Sequence, residues 1–137
     1  MGRPEVLAAR PDLAGVWEAA DAIFPVRVTR SWWDRIDPED PDDPLARQVL
    51  PARDELVADP GDLDDPVGEL ARSPVPWVAP KHRDRVLLLL TKRCHLTCRY
   101  CFRRTHDPEE GEDPTPAAWE RALAYAASCG AGEAILS

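Results

Sequence analysis

The stretch that decides the fold is RVLLLLTKRCHLTCRYCFRR, which occupies residues 85–104. Its first part, residues 85–91, carries a five-residue apolar run without alternation, which is typical of a parallel strand covered on both faces. Its second part carries three cysteines within eight residues. The stretch therefore predicts a buried strand that leads directly into a cysteine-bearing loop.

A helix and a second strand are predicted after this loop. Thr115 is expected to cap a helix that Pro116 opens and Gly130 ends. The residues expected on its apolar face are Trp119, Ala122, Leu123, Ala126 and Ala127. Residues 133–137 indicate another strand, so the order is that of a β-α-β unit in a parallel sheet. Two strands cannot cover their own faces, so we expect residues 81–137 to open a larger α/β barrel or sheet.

Residues 1–80 predict a helical and extended N-terminal arm. Residues 12–23 are expected to form a helix with Asp12 as its N-cap. Residues 38–80 contain nine prolines, which allow only short helical pieces in either an ordered arm or a flexible linker. An ordered arm is favoured because apolar anchors recur at Leu45, Val49, Leu56, Val67, Leu70 and Trp77.

Three short helical pieces are expected in the arm. Residues 29–36 predict one turn of helix before Pro38. Asp43 is expected to cap residues 44–49, and Asp65 is expected to cap residues 66–71.

Charge is unevenly distributed along the 137 residues, whose net charge is −8. Residues 34–69 hold thirteen acidic and three basic side chains and are expected to be a solvated arm. Residues 79–105 hold eight Lys and Arg against one Asp. Only Tyr100 and Phe102 interleave with this basic run as aromatics, so it favours small anions such as phosphate and carboxylate over nucleic acid.

Several classes of protein are excluded by composition. The longest run of large apolar residues, 86–90, has five residues, far fewer than the roughly 20 needed to span a membrane. The first twenty residues carry charges and no apolar segment, so we expect no secretory signal and a cytoplasmic protein. Three crowded cysteines do not suit a disulfide framework, which directs attention to metal binding. Cys129 fits no such site and is expected to be a small packing residue.

The cysteine loop has the spacing C-x3-C-x2-C, formed by Cys94, Cys98 and Cys101. Three thiolates on a short loop after a strand can hold three irons of a 4Fe-4S cluster and leave the fourth iron open to a substrate. Two alternatives remain open at this point. One is a structural zinc site completed by His95 or His106, and the other is a set of thiols without a ligand role.

This spacing, with an aromatic residue before the last cysteine, resembles the signature of radical S-adenosylmethionine enzymes. The chain is similar in particular to the lysine 2,3-aminomutase family, including the branch that acts on a lysine of elongation factor P. The resemblance covers about residue 30 to residue 137. It is carried by the segments DPDDPL (40–45), RQVLP (47–51), DPVGE (65–69), SPVP (73–76), DRVL (84–87) and CHLTCRYCFRR (94–104).

The resemblance implies roles for residues of the cysteine loop. Cys94, Cys98 and Cys101 match the ligands of the 4Fe-4S cluster, and Tyr100 matches the aromatic residue near the adenosyl part of S-adenosylmethionine. Arg103 matches the arginine that pairs with the substrate carboxylate, a role that suits a planar guanidinium.

The resemblance also implies a site for pyridoxal phosphate. Lys81, His82 and Arg85 fall where the family places groups around this cofactor. His82 and Arg83 depart from the Tyr and Pro that are common in the aminomutases, so an exposed basic lead-in to the strand is the alternative.

The implied activity is the migration of an amino group from C2 to C3 of lysine, either free or on elongation factor P. We expect the chain to be an N-terminal fragment without a complete catalytic set, inactive by itself, because the family's methionine-binding segment and cofactor lysine fall beyond Ser137. A C-terminal partner chain or a homo-oligomer would then complete it, and no nucleic acid or membrane partner is expected. The alternatives are a non-catalytic iron-sulfur or zinc module, or a radical enzyme with another substrate.

Overall fold

The computed structural model describes residues 1–80, 82–104 and 111–137. They form two compact units. The first contains residues 1–62 and the cysteine loop, residues 94–104; the second contains the remaining described residues. The sequence domains 1–80 and 81–137 remain a prediction, because a compact unit can combine separate stretches of chain.

The first unit is helical. Its elements are the helices α1 (Arg3–Ala9), α2 (Ala14–Ile23), α3 (Arg30–Trp33) and α4 (Ala46–Val49), and 3₁₀ turns at Pro11–Leu13 and Arg53–Leu56. The helix predicted over residues 12–23 is present as α2, but Asp12 does not cap it. Instead, both Asp12 carboxylate oxygens accept hydrogen bonds from the guanidinium of Arg10, at 2.9 and 2.8 Å.

The core of the first unit combines α1 and α2 with the arm. Its buried residues are Val6, Leu13, Val16, Trp17, Val28, Ile36, Ala46, Val49 and Leu50. Residues 36–50 therefore form an ordered arm, as the apolar anchors predicted. Leu45 packs against this core, whereas Leu56 is 40% exposed and is not an anchor.

Two side chains cap helices of the first unit: Asp43, which was predicted as a cap, and Thr29, which was not. The Thr29 hydroxyl accepts a hydrogen bond from the Trp32 amide at 3.3 Å at the start of α3. The Asp43 carboxylate accepts hydrogen bonds from the amides of Leu45 and Ala46, at 2.9 and 2.7 Å, just before α4. These bonds satisfy amides that lack partners at a helix start.

The second unit is an α/β structure. Its elements are the helices α5 (Glu69–Arg72) and α6 (Pro116–Ser128) and the strands β1 (Val78–Ala79), β2 (Arg85–Leu88) and β3 (Glu133–Leu136). The sheet order is β1-β2-β3, with β1 antiparallel to β2 and β3 parallel to β2. The predicted β-α-β unit is therefore confirmed, whereas β1 was not anticipated.

Asp65 caps the start of α5 as predicted. Its carboxylate accepts hydrogen bonds at 2.9 Å from the amides of Glu69 and Leu70. The helix itself occupies Glu69–Arg72 rather than residues 66–71. The anchor predicted at Leu70 is wrong, because that side chain is 59% exposed.

Burial along β2 corrects the expectation of a strand covered on both faces. Val86 and Leu88 are buried, whereas Arg85 and Leu87 are only half-buried, and β2 ends at Leu88 rather than Thr91. The two buried side chains share a cluster with Ala118 and Ala122 of α6. One face of β2 is therefore covered by the helix of its own crossover.

The buried face of α6 differs from the predicted one. Ala118 and Ala122 are buried, one turn apart, and Trp119 and Ala126 pack beside them. Leu123 is 44% exposed, and Ala127 is exposed as well. Ala118, Ala122 and Ala126, which are spaced by four, face the core, whereas the larger Leu123 does not.

No helix within residues 1–80, 82–104 or 111–137 is both long enough and apolar enough to cross a membrane.

Candidate metal centre

The cysteine loop alternates thiols with anchored residues. Thr97 and Arg99 are 5% and 7% exposed and are directed into the first unit. Cys94 is exposed, and Cys98 and Cys101 are half-buried. All three are free thiols. The loop thus presents its sulfur atoms from a backbone that its own intervening residues hold in place.

Thr97 ties the loop to the segment after α2. Its amide donates to the Arg27 carbonyl at 3.0 Å, and its hydroxyl accepts from the Arg27 amide at 2.9 Å. The same hydroxyl donates to the Pro25 carbonyl at 2.6 Å. The Arg27 guanidinium in turn donates to the Cys94 carbonyl at 3.4 Å, so the anchor extends to the first cysteine.

Arg99 ties the loop to the arm. Its amide donates to the Gln48 carbonyl at 2.7 Å. Its guanidinium forms a two-pronged ion pair with the Glu55 carboxylate, whose shortest N···O distance is 2.6 Å. It also donates to the Phe24 carbonyl at 2.9 Å and lies 5.3 Å from the centre of the Phe24 ring.

Tyr100 lies beside Cys98 on an exposed part of the loop. The pKa of its hydroxyl is raised, first by a side-chain hydrogen bond with Cys98 and then by a charge interaction with Cys98, with a smaller contribution from Cys101. The Cys101 amide donates to the Cys98 carbonyl at 3.0 Å, which closes a turn between the two cysteines. The tyrosine hydroxyl also donates to Gln48 Oε1 at 3.4 Å.

The thiols suit an iron-sulfur cluster by chemistry more than by present geometry. Cluster ligands are thiolates, and three free thiols on one exposed loop are the donor set that such a cluster needs. In the part of the chain that the structure describes, no three Cys, His, Asp or Glu side chains are already gathered around a metal position. Side-chain rotation within the anchored loop must therefore accompany binding.

The zinc alternative stays a prediction. His95 is exposed. His106 lies outside the described residues.

Arg103 is half-buried two positions after the last cysteine. Its guanidinium lies 5.1 Å from the centre of the Phe102 ring, a distance at which cation–π attraction operates. Arg103, which the resemblance implies as the partner of the substrate carboxylate, thus lies on the same loop as the thiols.

The residues implied for pyridoxal phosphate are only partly described. Lys81 lies outside the described residues, and His82 is exposed. Arg85 forms an ion pair with Asp84 at 2.9 Å and lies 3.7 Å from Glu133 on the neighbouring strand β3. The hydrogen bond from Arg85 is the main reason that the pKa of Asp84 is lowered.

The structure corrects the picture of a basic site facing an acidic, solvated arm. Arg99 is neutralised by Glu55, a member of the acidic run, and Arg93 pairs with Asp113 at 2.5 Å and with Glu112 at 3.4 Å. The linear count of charges therefore overstates the positive charge available to an external anion.

Sequence reasoning missed the residues that hold the loop. Glu55 and Arg99 are 44 positions apart, and no local pattern links them. Thr97, between the first and second cysteines, was also overlooked. A polar residue inside a ligand motif was the available signal, because such residues commonly support the ligands beside them.

Comparisons with known proteins identify relatives that share one name. L-lysine 2,3-aminomutase of Escherichia coli (strain K12) is 44% identical over 116 residues, which are 85% of this chain and 33% of the relative. The Bacillus subtilis (strain 168) protein of that name is 35% identical over 102 residues, which are 74% of this chain and 22% of the relative. The Clostridium subterminale protein of that name is 44% identical over 77 residues, which are 56% of this chain and 18% of the relative.

No protein-family model matches the chain. The chain spans about a third of the length of the Escherichia coli relative and less of the other two. By sequence, and over the part of those relatives that it spans, the chain belongs to the L-lysine 2,3-aminomutase family.

Proposed function

We propose that this chain supplies the cluster-binding loop and the first β-α-β unit of the barrel of a radical S-adenosylmethionine enzyme of the lysine 2,3-aminomutase type. The observation that carries the proposal is the loop itself. Three free thiols, Cys94, Cys98 and Cys101, are presented by a backbone anchored at Thr97 and Arg99. The relatives named L-lysine 2,3-aminomutase support the same class of reaction, an isomerisation.

A 4Fe-4S cluster with one open iron, when bound, supplies an electron for the reductive cleavage of S-adenosylmethionine. The chain's own contribution is binding and orientation. The three thiolates would hold the cluster, and Tyr100, beside Cys98 and Cys101, would border the space next to it. Arg103 would bind the substrate carboxylate, since its planar fork matches the two oxygen atoms.

Pyridoxal phosphate belongs to the proposal through the family resemblance. The resemblance assigns Lys81, His82 and Arg85 to the surroundings of this cofactor, and of these His82 and Arg85 lie among the described residues. Arg85 already binds Asp84, so a phosphate there must displace that carboxylate or share the guanidinium with it. We propose lysine, free or on elongation factor P, as the substrate.

Anaerobic reconstitution of the chain with iron and sulfide tests the cluster. We expect visible absorption typical of a 4Fe-4S centre and close to four irons per chain. Replacing Cys94, Cys98 or Cys101 by Ala should abolish the absorption. Cys129→Ala is the matched control, because Cys129 packs against the core of the second unit. We expect this variant to retain its iron.

A colourless protein that binds one zinc tightly would reject the proposal and favour the zinc module. A cluster that also depends on Cys129 would reject the ligand assignment. The substrate is tested by incubating the reconstituted protein with S-adenosylmethionine, pyridoxal phosphate, dithionite and lysine, followed by mass spectrometry. Formation of β-lysine and 5'-deoxyadenosine would support lysine isomerisation and overturn the expectation that the chain is inactive by itself, whereas the absence of β-lysine agrees with that expectation.

A further inference from the structure

A buried ion pair lies inside the cysteine loop. Arg99 directly follows Cys98 and precedes Cys101 by two residues. Its side chain is only 5% exposed, and the side chain of its partner Glu55 is 15% exposed. The guanidinium is directed into the first unit while the neighbouring thiols remain accessible, so the conformation at residue 99 determines where both sulfur atoms can reach.

The Arg99 guanidinium has several partners that together define one orientation. Its Nε and Nη2 atoms donate to the Glu55 carboxylate, and Nη1 donates to the Phe24 carbonyl at 2.9 Å. Nη2 also lies 3.5 Å from the Ala20 carbonyl of α2. A cation is favourable at this end of the helix, where carbonyl groups carry partial negative charge.

Glu55 is itself held in place. Its Oε1 atom accepts a hydrogen bond from the Ala52 amide at 3.0 Å, and its own amide donates to the Ala52 carbonyl at 3.2 Å. This reciprocal pair closes the turn Arg53–Leu56. The carboxylate therefore meets the guanidinium from a fixed position.

We propose that Glu55 and Arg99 are positioning residues for the cluster, an inference that rests on the proposed function. Glu55 holds Arg99, and the Arg99 backbone holds Cys98 and Cys101 close enough to bind the same cluster. The ordering of the loop is then completed when the chain folds rather than when iron binds, which strengthens binding. A part of the acidic arm thereby becomes a support of the metal centre.

Iron release tests this role. Glu55→Gln removes the negative charge at nearly constant size, and Arg99→Lys keeps the positive charge but loses the planar fork. In the reconstituted chain, we expect each variant to release iron to a ferrous chelator at least about 10-fold faster than the wild type, as for other groups that support metal ligands. The double variant should be little worse than either single variant, because both remove one interaction.

Two controls separate positioning from general stability. Val6→Ala weakens the core of the first unit but removes none of the hydrogen bonds or ion pairs that hold the loop at Thr97 and Arg99. Glu18→Gln removes an exposed ion pair with Arg3, whose side chains are 77% and 45% exposed. We expect Val6→Ala to lower the melting temperature with little change in iron release, and Glu18→Gln to change neither. Equal iron release by Glu55→Gln and the wild type would overturn the proposal.

A readout without metal distinguishes this inference from the proposed function. In the apo chain, alkylation of Cys98 and Cys101 by iodoacetamide, followed by mass spectrometry, reports how firmly the loop is held. We expect alkylation of both to be several times faster in Glu55→Gln, with Cys129 unchanged. If the wild type forms no cluster but Glu55→Gln is still alkylated faster than the wild type, the proposed function fails and the anchoring role stands. If the two are alkylated at the same rate, the anchoring role is rejected, whether or not a cluster forms.

Discussion

Asp43 is a single residue whose charge state contributes to folding. Its carboxylate accepts hydrogen bonds from the amides of Ala46, Leu45 and Asp37, at 2.7, 2.9 and 3.2 Å. The pKa of Asp43 is lowered mainly by the bond from Ala46. The ionised form is therefore favoured in the folded chain, and the stability that it contributes is fully present above the pKa of the unfolded chain.

Replacing Asp43 by Asn should reveal this dependence. We expect Asp43→Asn to be less stable than the wild type at pH 7, because the neutral amide is a weaker acceptor. The difference should shrink as the pH falls below about 4, the ordinary Asp pKa, and through the lower pKa of the folded state. Urea unfolding over a pH series measures it.

Asp42→Asn is the matched control for Asp43→Asn. The Asp42 side chain is 85% exposed, and its nearest ion-pair distance is 3.8 Å, to Arg47. Exposed pairs of this kind contribute little. If the two variants lose equal stability at pH 7, the cap is not the source of the effect.

At the scale of elements, α6 offers a test of which face is buried. Ala122 is fully buried against the sheet, whereas Ala127 on the same helix is exposed. We expect Ala122→Leu to reduce the free energy of unfolding by about 1–3 kcal/mol through overpacking. The same substitution at Ala127 should change it by less than about 0.5 kcal/mol. If Ala122→Leu and Ala127→Leu reduce the free energy of urea unfolding equally, residue 127 faces the core, as the sequence predicted.

The elements also show how far local patterns extend. Asp43, Asp65 and Thr115 cap helices as predicted, because a cap joins a side chain to amides only a few residues away. Asp12 failed as a cap because the Arg10 guanidinium competes for its carboxylate. A local pattern therefore predicts a cap well unless another side chain binds the capping carboxylate or hydroxyl.

At the scale of the whole molecule, the two units have separate cores, which predicts separate responses to mutation. Val49 is 0% exposed in the core of the first unit. Val49→Ala should destabilise that unit by about 2 kcal/mol through lost burial and a cavity. Hydrogen exchange should accelerate in α2 and remain unchanged in β2. An equal acceleration in both would show that the chain opens as one cooperative unit.

The sequence by itself determined the β-α-β order, the helix caps at Asp43, Asp65 and Thr115, and the presence of three closely spaced thiols. Each depends on residues that are near one another along the chain, where periodicity and capping act over a few positions. The cysteine spacing, together with the segments around it, was also sufficient to identify the family before any geometry was known.

Only the tertiary structure decided which side chains hold the cysteine loop and which faces are buried. The Glu55–Arg99 pair, the antiparallel pairing of β1 with β2 and the exposure of Leu123 all depend on the path of the chain between distant residues. A buried ion pair between positions 44 apart forms only if folding brings both groups out of water together. The spacing of the two residues in the sequence does not indicate that they meet. The acidic arm looked solvated for this reason, although one of its carboxylates supports the loop that carries the thiols.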